Sequence, residues 1–486
     1  MLSLTDLRAA SAVMTLLLVL ATQAGVAGQE RFLYERAWAL AGPCCGDSGH
    51  DIAVEPDGSF FIVGNYGALD LDGDGAIDQR SDGGHDAIIM KGRPDGTLAW
   101  VRAPRSPAQS YARLTVASDR KGGVFMAGAF RDGLQFRTGI RLEGGGPQEG
   151  LLARYDAAGD PLWAKAIGGA GNDSLADAAS DAAGHVYVAG TMQGAVDLDA
   201  DGRVDATVVG ANGLLVASYD ESGALRWARV SAGKGDVTAA AIAVAADGAV
   251  HVAGYYKGTD VDLDADGRPD LTPSSAEGGP FLARFEPGGR LARAVALGGS
   301  GNNRIGKLAL AEGGDLIATG YTQGTVDLNG DGKADVESAD ARQVPYVARF
   351  DRDGALVWVR AFLQRERVAI LDLTTSTGRI AVSGLFERRL DLDGDGRPDA
   401  AADPDGSSEG FVAILDKGGA IRQVLAITGP GHDQPRGAAL APDGRSLSLT
   451  GFVRLNADFD GDGVPEGGVR CDNFGDIIFA RYRLKP

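Results

Sequence analysis

Carboxylates recur in this chain at a spacing suited to gripping a hard cation. Six nine-residue stretches share the pattern D-x-[DN]-x-D-G-x-x-[DE]. They place candidate ligands at Asp70, Asp72, Asp74 and Asp78; at Asp197, Asp199, Asp201 and Asp205; and at Asp262, Asp264, Asp266 and Asp270. The remaining three hold Asp327, Asn329, Asp331 and Asp335; Asp391, Asp393, Asp395 and Asp399; and Asp458, Asp460, Asp462 and Glu466. Ca²⁺ takes roughly six to eight oxygens in a flexible shell. Acids at positions 1, 3 and 5 of a curled loop point inward, and glycine at position 6 permits the sharp turn. Position 7 offers a backbone carbonyl, and the acid at position 9 closes the cage. Mg²⁺ fits less well, because it demands strict octahedral geometry and keeps its waters.

Asp and Gly are also ordinary turn residues, so one such stretch would read equally well as a solvated acidic turn. Six copies at one place in a repeat favour the cation. These loops carry 23 acidic side chains, more than the whole net charge of −19. Such crowding is tolerable when a cation neutralises it, and up to six Ca²⁺ sites are expected. The pattern resembles the first nine residues of an EF-hand loop, without the bidentate Glu at position 12 or the flanking helices. Asn329 keeps an oxygen but loses a charge, which predicts a weaker site. The acidic balance argues against nucleic acid as a partner, since phosphates would be repelled.

The elements that position these loops emerge from a repeat. A small residue followed by Gly closes a β-rich run in "FFIVGNY", "VFMAGAF", "VYVAGTM", "VHVAGYY", "LIATGYT", "IAVSGLF" and "LSLTGFV". The glycines are Gly64, Gly128, Gly190, Gly254, Gly320, Gly384 and Gly451, so seven copies recur about every 64 residues. Each copy divides into four short strands joined by Gly-bearing turns, the signature of hairpins rather than helices. The acidic loops all follow the second strand. The second copy departs from the pattern, with Gln135 in the place of the first Asp, and no metal is expected there.

Seven units of four antiparallel strands predict an all-β fold, a seven-bladed β-propeller. The ends of the chain favour this over an open solenoid. The seventh copy stops after its third strand, "DIIFARYRL", and a matching fourth strand, "YERAWALAG", stands at the beginning around Trp38. The N-terminal strand is expected to complete the last blade, removing exposed edges. Cys44 and Cys45 follow that strand and Cys471 precedes the last one, so a disulfide from Cys471 to either Cys44 or Cys45 would clasp the ring.

Arg8, the apolar run from Met14 to Ala21 and the small residues after it read as a secretory signal over 1–28, leaving 29–486 as the propeller. The expectation is export to the periplasm, cell surface or exterior, with no stable membrane span after cleavage.

With the repeat laid out, the chain resembles the bacterial SBBP-type β-propeller repeat family over residues 31–486. The carrying features are "GLLARYDAAGDPLWAKAIGGAGND" (150–173) and the "VYVAGT" strand. The acidic loops are similar to the metal loops of FG-GAP repeats and integrin α propellers, where they join different strands. The SBBP resemblance implies export and a propeller fold, in a family whose activity is mostly unknown, and it carries over no catalytic residues.

None of the five histidines (His50, His85, His185, His251, His432) shares a zinc-like spacing with another His or Cys. No G-x-S-x-G elbow or phosphate-cradling loop appears. The recurring Trp38, Trp100, Trp163, Trp227 and Trp358 read as packing between blades. The first strands, expected to face the central channel, are mostly Ala, Val and Leu. The functional expectation is therefore a calcium-stabilised module that binds a protein or glycan. The alternative is a calcium-dependent hydrolase or lyase, in which an open metal position activates water.

Overall fold

The computed structural model describes residues 30–40, 46–71, 76–81, 85–106, 112–272, 278–340, 342–403, 406–466 and 475–485. The signal-peptide expectation, all three cysteines, Asp72 and Asp74 lie outside these residues.

Among the described residues the chain is all-β, without a helix, and its strands pair antiparallel. Six sheets run in sequence order. The first pairs Ser48–Val54, Phe60–Tyr66, Asp86–Gly92 and Leu98–Arg102. The second has Ala112–Ser118, Val124–Phe130, Glu149–Tyr155 and Pro161–Gly169, and the third Ser174–Ser180, Val186–Met192, Gly213–Tyr219 and Leu225–Val230. The fourth has Asp236–Val244, Val250–Lys257, Gly279–Phe285 and Leu291–Ala296, and the fifth Asn303–Leu310, Leu316–Thr322, Val344–Phe350 and Leu356–Ala361. The sixth has Val368–Ser376, Arg379–Glu387, Ser408–Asp416 and Ile421–Ile427.

The seventh sheet joins the two ends of the chain. Gln434–Leu440, Ser446–Val453 and Asp476–Lys485 are followed by the N-terminal strand Arg31–Leu40, which supplies the fourth position. Its register runs from Arg31 opposite Lys485 to Leu40 opposite Ile477. Trp38 pairs with Phe479, whose ring it stacks at 5.3 Å between centroids.

Second and third strands are nearly continuous apolar runs because neighbouring sheets cover both of their faces. Fourth strands are only half-buried. The turns joining third to fourth strands are closed by aspartates: Asp156 Oδ1, for example, accepts Ala158 N–H and Asp160 N–H at 2.9 and 2.8 Å.

The repeat's marker glycine has a steric cause. Each first strand carries a β-bulge, as between Gly49 and Asp51, Ile305 and Lys307, or Ile370 and Asp372. The bulge brings a carbonyl over the second strand. A Cβ on Gly64 would lie 2.1 Å from Ser48 O, and one on Gly384 2.1 Å from Ala369 O.

The tryptophans join sheets. The indole N–H of Trp38 donates to Gly96 O (2.8 Å), Trp100 to Ala157 O (3.0 Å), Trp163 to Glu221 O (3.0 Å), Trp227 to Pro287 O (2.9 Å) and Trp358 to Lys417 O (3.1 Å). Each acceptor lies in a turn of the next sheet, so the packing role read from the sequence stands.

The first strands lie side by side, and that of the seventh sheet also touches that of the first. The residue after each bulge is turned toward this meeting place. These residues are Asp51, Thr115, Asp177, Ala241, Lys307, Asp372 and Gly437, which corrects the expectation of an apolar lining. Past the bulge the alternation is regular, so each of these residues shares its face with the small residue two places on, such as Ala53, Ala117, Ala179 or Ala309, and the apolar reading counts only the latter. Asp51 Oδ2 accepts Thr115 Oγ1–H at 2.7 Å and Val116 N–H at 2.9 Å. Asp177 Oδ2 accepts Ile242 N–H (3.0 Å), and Asp372 Oδ2 accepts Ala438 N–H (2.7 Å).

Candidate functional site

Each acidic loop begins where the second strand ends and is held from below by a buried apolar residue at its second position. Leu198, Leu263, Leu328, Leu392 and Phe459 are all buried. The alternation is that of a strand entering a loop: the apolar side chain points into the core between two acids on the other face, of which Asp262, Asp327 and Asp458 are themselves buried. Two left-handed residues then curl the chain. Position 4 has φ of 62° at Ala200, 60° at Ala265 and 75° to 78° at Gly330, Gly394 and Gly461. Position 6 is Gly202, Gly267, Gly332, Gly396 or Gly463, with φ between 83° and 88°. Glycine adopts that conformation without the Cβ penalty.

Backbone donors orient the acids. The position 1 carboxylate accepts amides of the curl: Asp197 takes Ala200 N–H and Gly202 N–H, both at 2.7 Å, Asp458 takes Gly461 N–H and Gly463 N–H at 2.6 and 2.7 Å, and Asp262 takes Asp266 N–H and Gly267 N–H at 3.2 and 2.8 Å. The position 9 acid reaches back to the amide of position 2. Leu71, Leu198, Leu263, Leu328, Leu392 and Phe459 donate to Asp78, Asp205, Asp270, Asp335, Asp399 and Glu466 at 2.6 to 2.8 Å. The position 5 acid caps the amide of position 7, as Asp201 does for Arg203 and Asp395 for Arg397.

The result is convergence of positions 1, 3 and 9. Ligand oxygens of Asp197, Asp199 and Asp205 lie within 4.8 Å of one another, as do those of Asp262, Asp264 and Asp270, of Asp391, Asp393 and Asp399, and of Asp458, Asp460 and Glu466. In the loop beginning at Asp327 the third ligand is an amide, and Asn329 Nδ2 donates to Asp335 Oδ1 at 3.3 Å. In the first loop, Asp70 and Asp78 are described. The position 5 acids of these four loops, Asp201, Asp266, Asp395 and Asp462, are not part of the convergent triads.

The electrostatics mark the same trio. Burial, then Asp460 and Asp458, push the Glu466 carboxyl up to about 7. Burial, then neighbouring acids, also raise Asp270 and Asp399. Asp264 Oδ1 is buried and has no hydrogen-bond donor. A buried carboxylate oxygen without a donor, facing two further carboxylates, is costly unless a cation compensates it. The donor set of hard anionic oxygens on a curled loop fits Ca²⁺.

Sequence reading did not reveal where the loops sit between sheets. The position 1 acid pairs through its backbone with the segment leaving the preceding sheet: Asp197 with Gly168, Asp262 with Ala232, Asp327 with Gly298 and Asp458 with Thr428. Asp391 N–H is bound by Gln364 Oε1 at 2.8 Å. The loop that breaks the pattern keeps this register, since Gln135 pairs with Arg105. There the turn is closed by Phe136 N–H donating to Ile140 O, and the Phe136 ring is buried.

No family model matches the chain, and no curated protein matches it. Among solved structures it is similar to the WD40 repeats of RRP9, at 11% identity and a TM-score of 0.45 over 95% of this chain and 99% of that one. It is similar also to an acylaminoacyl peptidase of Pyrococcus horikoshii, at 10% identity and a TM-score of 0.43 over 87% of this chain and 52% of that one. A protein from Lactobacillus plantarum matches at 12% identity and a TM-score of 0.41, over 90% of this chain and 100% of that one. The architecture described above rests on the strand pairing itself. No helix among the described residues is long and apolar enough to cross a membrane.

Proposed function

We propose that this chain is an exported, calcium-binding β-propeller of seven blades, of the SBBP-repeat type, that acts as a binding or scaffold module. The observation that carries the metal reading is the convergence of the position 1, 3 and 9 carboxylates, repeated in four loops. A cation there neutralises the trio. Because position 1 also pairs with the segment leaving the preceding sheet, ordering the loop ties two sheets together. Calcium in this reading holds neighbouring blades in register and stiffens the surface they form with the connecting segments. That surface, bearing calcium, is where a protein or glycan partner would bind.

The alternative reading, a calcium-dependent hydrolase, would recruit the acids where the first strands meet. Asp51, Asp177 and Asp372 are each engaged by donors of neighbouring sheets. Hydrogen-bonded in this way, they serve cohesion better than proton transfer.

Calcium titration followed by calorimetry or native mass spectrometry tests the metal sites. The native protein should bind up to six ions, and Asp264→Ala should bind one fewer. Equal stoichiometry for the two proteins would remove that loop from the proposal.

A further inference from the structure

The junction of the fourth and fifth sheets lacks a tryptophan, as does that of the sixth and seventh, where Gln423 takes the place and bonds the backbone of Phe32. At three earlier junctions an aromatic of the second strand stands beside the tryptophan of the fourth: Phe61 with Trp100, Phe125 with Trp163 and Tyr187 with Trp227, at 6.0 to 6.2 Å between centroids. In the fourth sheet these two places hold His251 and Arg293. Arg293 Nη1 donates to Asp353 O, taking over the contact that the indole makes elsewhere. A guanidinium does not fill the volume of an indole. A Cβ on Gly289 would lie 2.5 Å from Trp227, and one on Gly159 2.7 Å from Trp100. At Gly354 the nearest atom would be 3.9 Å away, on Arg293.

A cavity of about 200 Å³ lies at these two places, lined by both His251 and Arg293, and one of about 550 Å³ adjoins it among the turns. Both are lined by His251, Arg284, Arg352 and Asp353, and Leu282 and Leu316 line the smaller one. This is a size suited to a small molecule. It lies among the short turns joining first to second and third to fourth strands, at the opposite end of the strands from the acidic loops.

The donors facing it are underused. The equivalent arginine of the second sheet, Arg154, binds Glu221 O and Asp119, and that of the fifth, Arg349, binds Lys417 O and Asp315. Arg284 has one ion pair, a loose 3.7 Å contact with Asp247. Among the described residues the Arg352 guanidinium and the His251 ring have no hydrogen-bond partner. The rim acids are partly committed to their own turns: Asp247 Oδ1 accepts Ala249 N–H, and Asp351 Oδ1 accepts Asp353 N–H and Ala355 N–H. Burial, then Arg284, pull the His251 imidazole down to about 4, so at neutral pH it offers one N–H donor and one acceptor.

We propose that this cavity binds a small molecule bearing an oxyanion, a carboxylate or a tetrahedral phosphate or sulfate group, gripped by Arg284 and Arg352 beside His251. Guanidinium forks suit the planar and tetrahedral oxyanions alike. The site is separate from the calcium reading and does not depend on it.

Titration calorimetry of the full chain with sodium sulfate and with sodium acetate, against sodium chloride at matched ionic strength, tests the site. Saturable binding of at least one oxyanion is expected, with sulfate favoured if the natural group is tetrahedral and acetate if it is a carboxylate. Arg284→Met with Arg352→Met should weaken binding at least tenfold. His251→Phe with Arg293→Trp rebuilds the aromatic pair, and should abolish binding without lowering the melting temperature. No saturable heat with either oxyanion overturns the proposal, as does undiminished affinity in the double-methionine variant.

Discussion

Lys307 Nζ lies 3.2 Å from Asp372 Oδ1, and both side chains are buried where the first strands meet. Burial alone would pull the lysine down, but Asp372, Asp51 and Asp177 outweigh it and hold the ammonium well above its ordinary range. Burial raises Asp177, with Lys307 opposing. One cation thus compensates three acids drawn from the first, third and sixth sheets.

That arrangement predicts a large effect from Lys307→Met. Breaking a buried ion pair by removing one partner costs about 3–5 kcal/mol, because the remaining charges lose their compensation. Urea unfolding should show the loss as a lower midpoint with little change in slope. An unshifted midpoint would mean that the cluster does not contribute to cohesion.

Chelation should act through the sheet junctions. Under the calcium proposal, EGTA should lower the melting temperature of the native protein, and added calcium in excess of EGTA should restore it. A melting curve indifferent to EGTA would defeat the structural role of the metal.

Trp163 separates hydrogen bonding from volume at a junction. Trp163→Phe removes the indole bond to Glu221 O and should cost about 1 kcal/mol, whereas Trp163→Ala also empties the junction and should cost about 3–5 kcal/mol. Gly223, whose φ is 83° and whose Cβ would lie 2.9 Å from the Trp163 ring, should tolerate Ala poorly. Denaturant midpoints of the three variants should rank in that order for the two Trp changes, with Gly223→Ala also destabilised.

A pair of acids between the sixth and seventh sheets sets a pH dependence. Glu409 and Asp433 are fully buried. Burial pushes Glu409 up to about 7, against donors from Ser407, Asp403 and Gly429. Burial, then Glu409, push Asp433 well above its ordinary value. The folded protein keeps a proton on Glu409 that the unfolded chain releases near pH 4.5. Stability from this group is therefore full below that pH and falls as the pH rises to about 7, by roughly 3 kcal/mol at 1.36 kcal/mol per unit. Glu409→Gln, an uncharged mimic of the protonated acid, should flatten the fall in melting temperature between pH 5 and 8. A variant with the native slope would place the pH dependence elsewhere.

Much of this was legible before any coordinates. The marker glycines gave the period, the Gly-bearing turns gave four strands per unit, and "YERAWALAG" foretold that the N-terminal strand would pair with the last one. These are local signals: strand alternation, turn chemistry and close backbone approach act over a few residues, so they are written in consecutive residues. The acidic loops were legible for the same reason, since spacing along one loop decides which acids can meet. Even there, the three-dimensional curl chose positions 1, 3 and 9 and left the position 5 acids as caps.

Residues from different sheets are another matter. Nothing in the run "NRIGKLAL" announces that Lys307 will meet Asp372, because the partner lies on a strand of another sheet. The His251 and Arg293 cavity appears only against the aromatic pairs that occupy its counterparts. The sequence by itself determined the sheets and the shape of each acidic loop, both products of short-range geometry. Only the tertiary structure decided which charges compensate one another and where a gap opens, because those depend on how one sheet leans against the next.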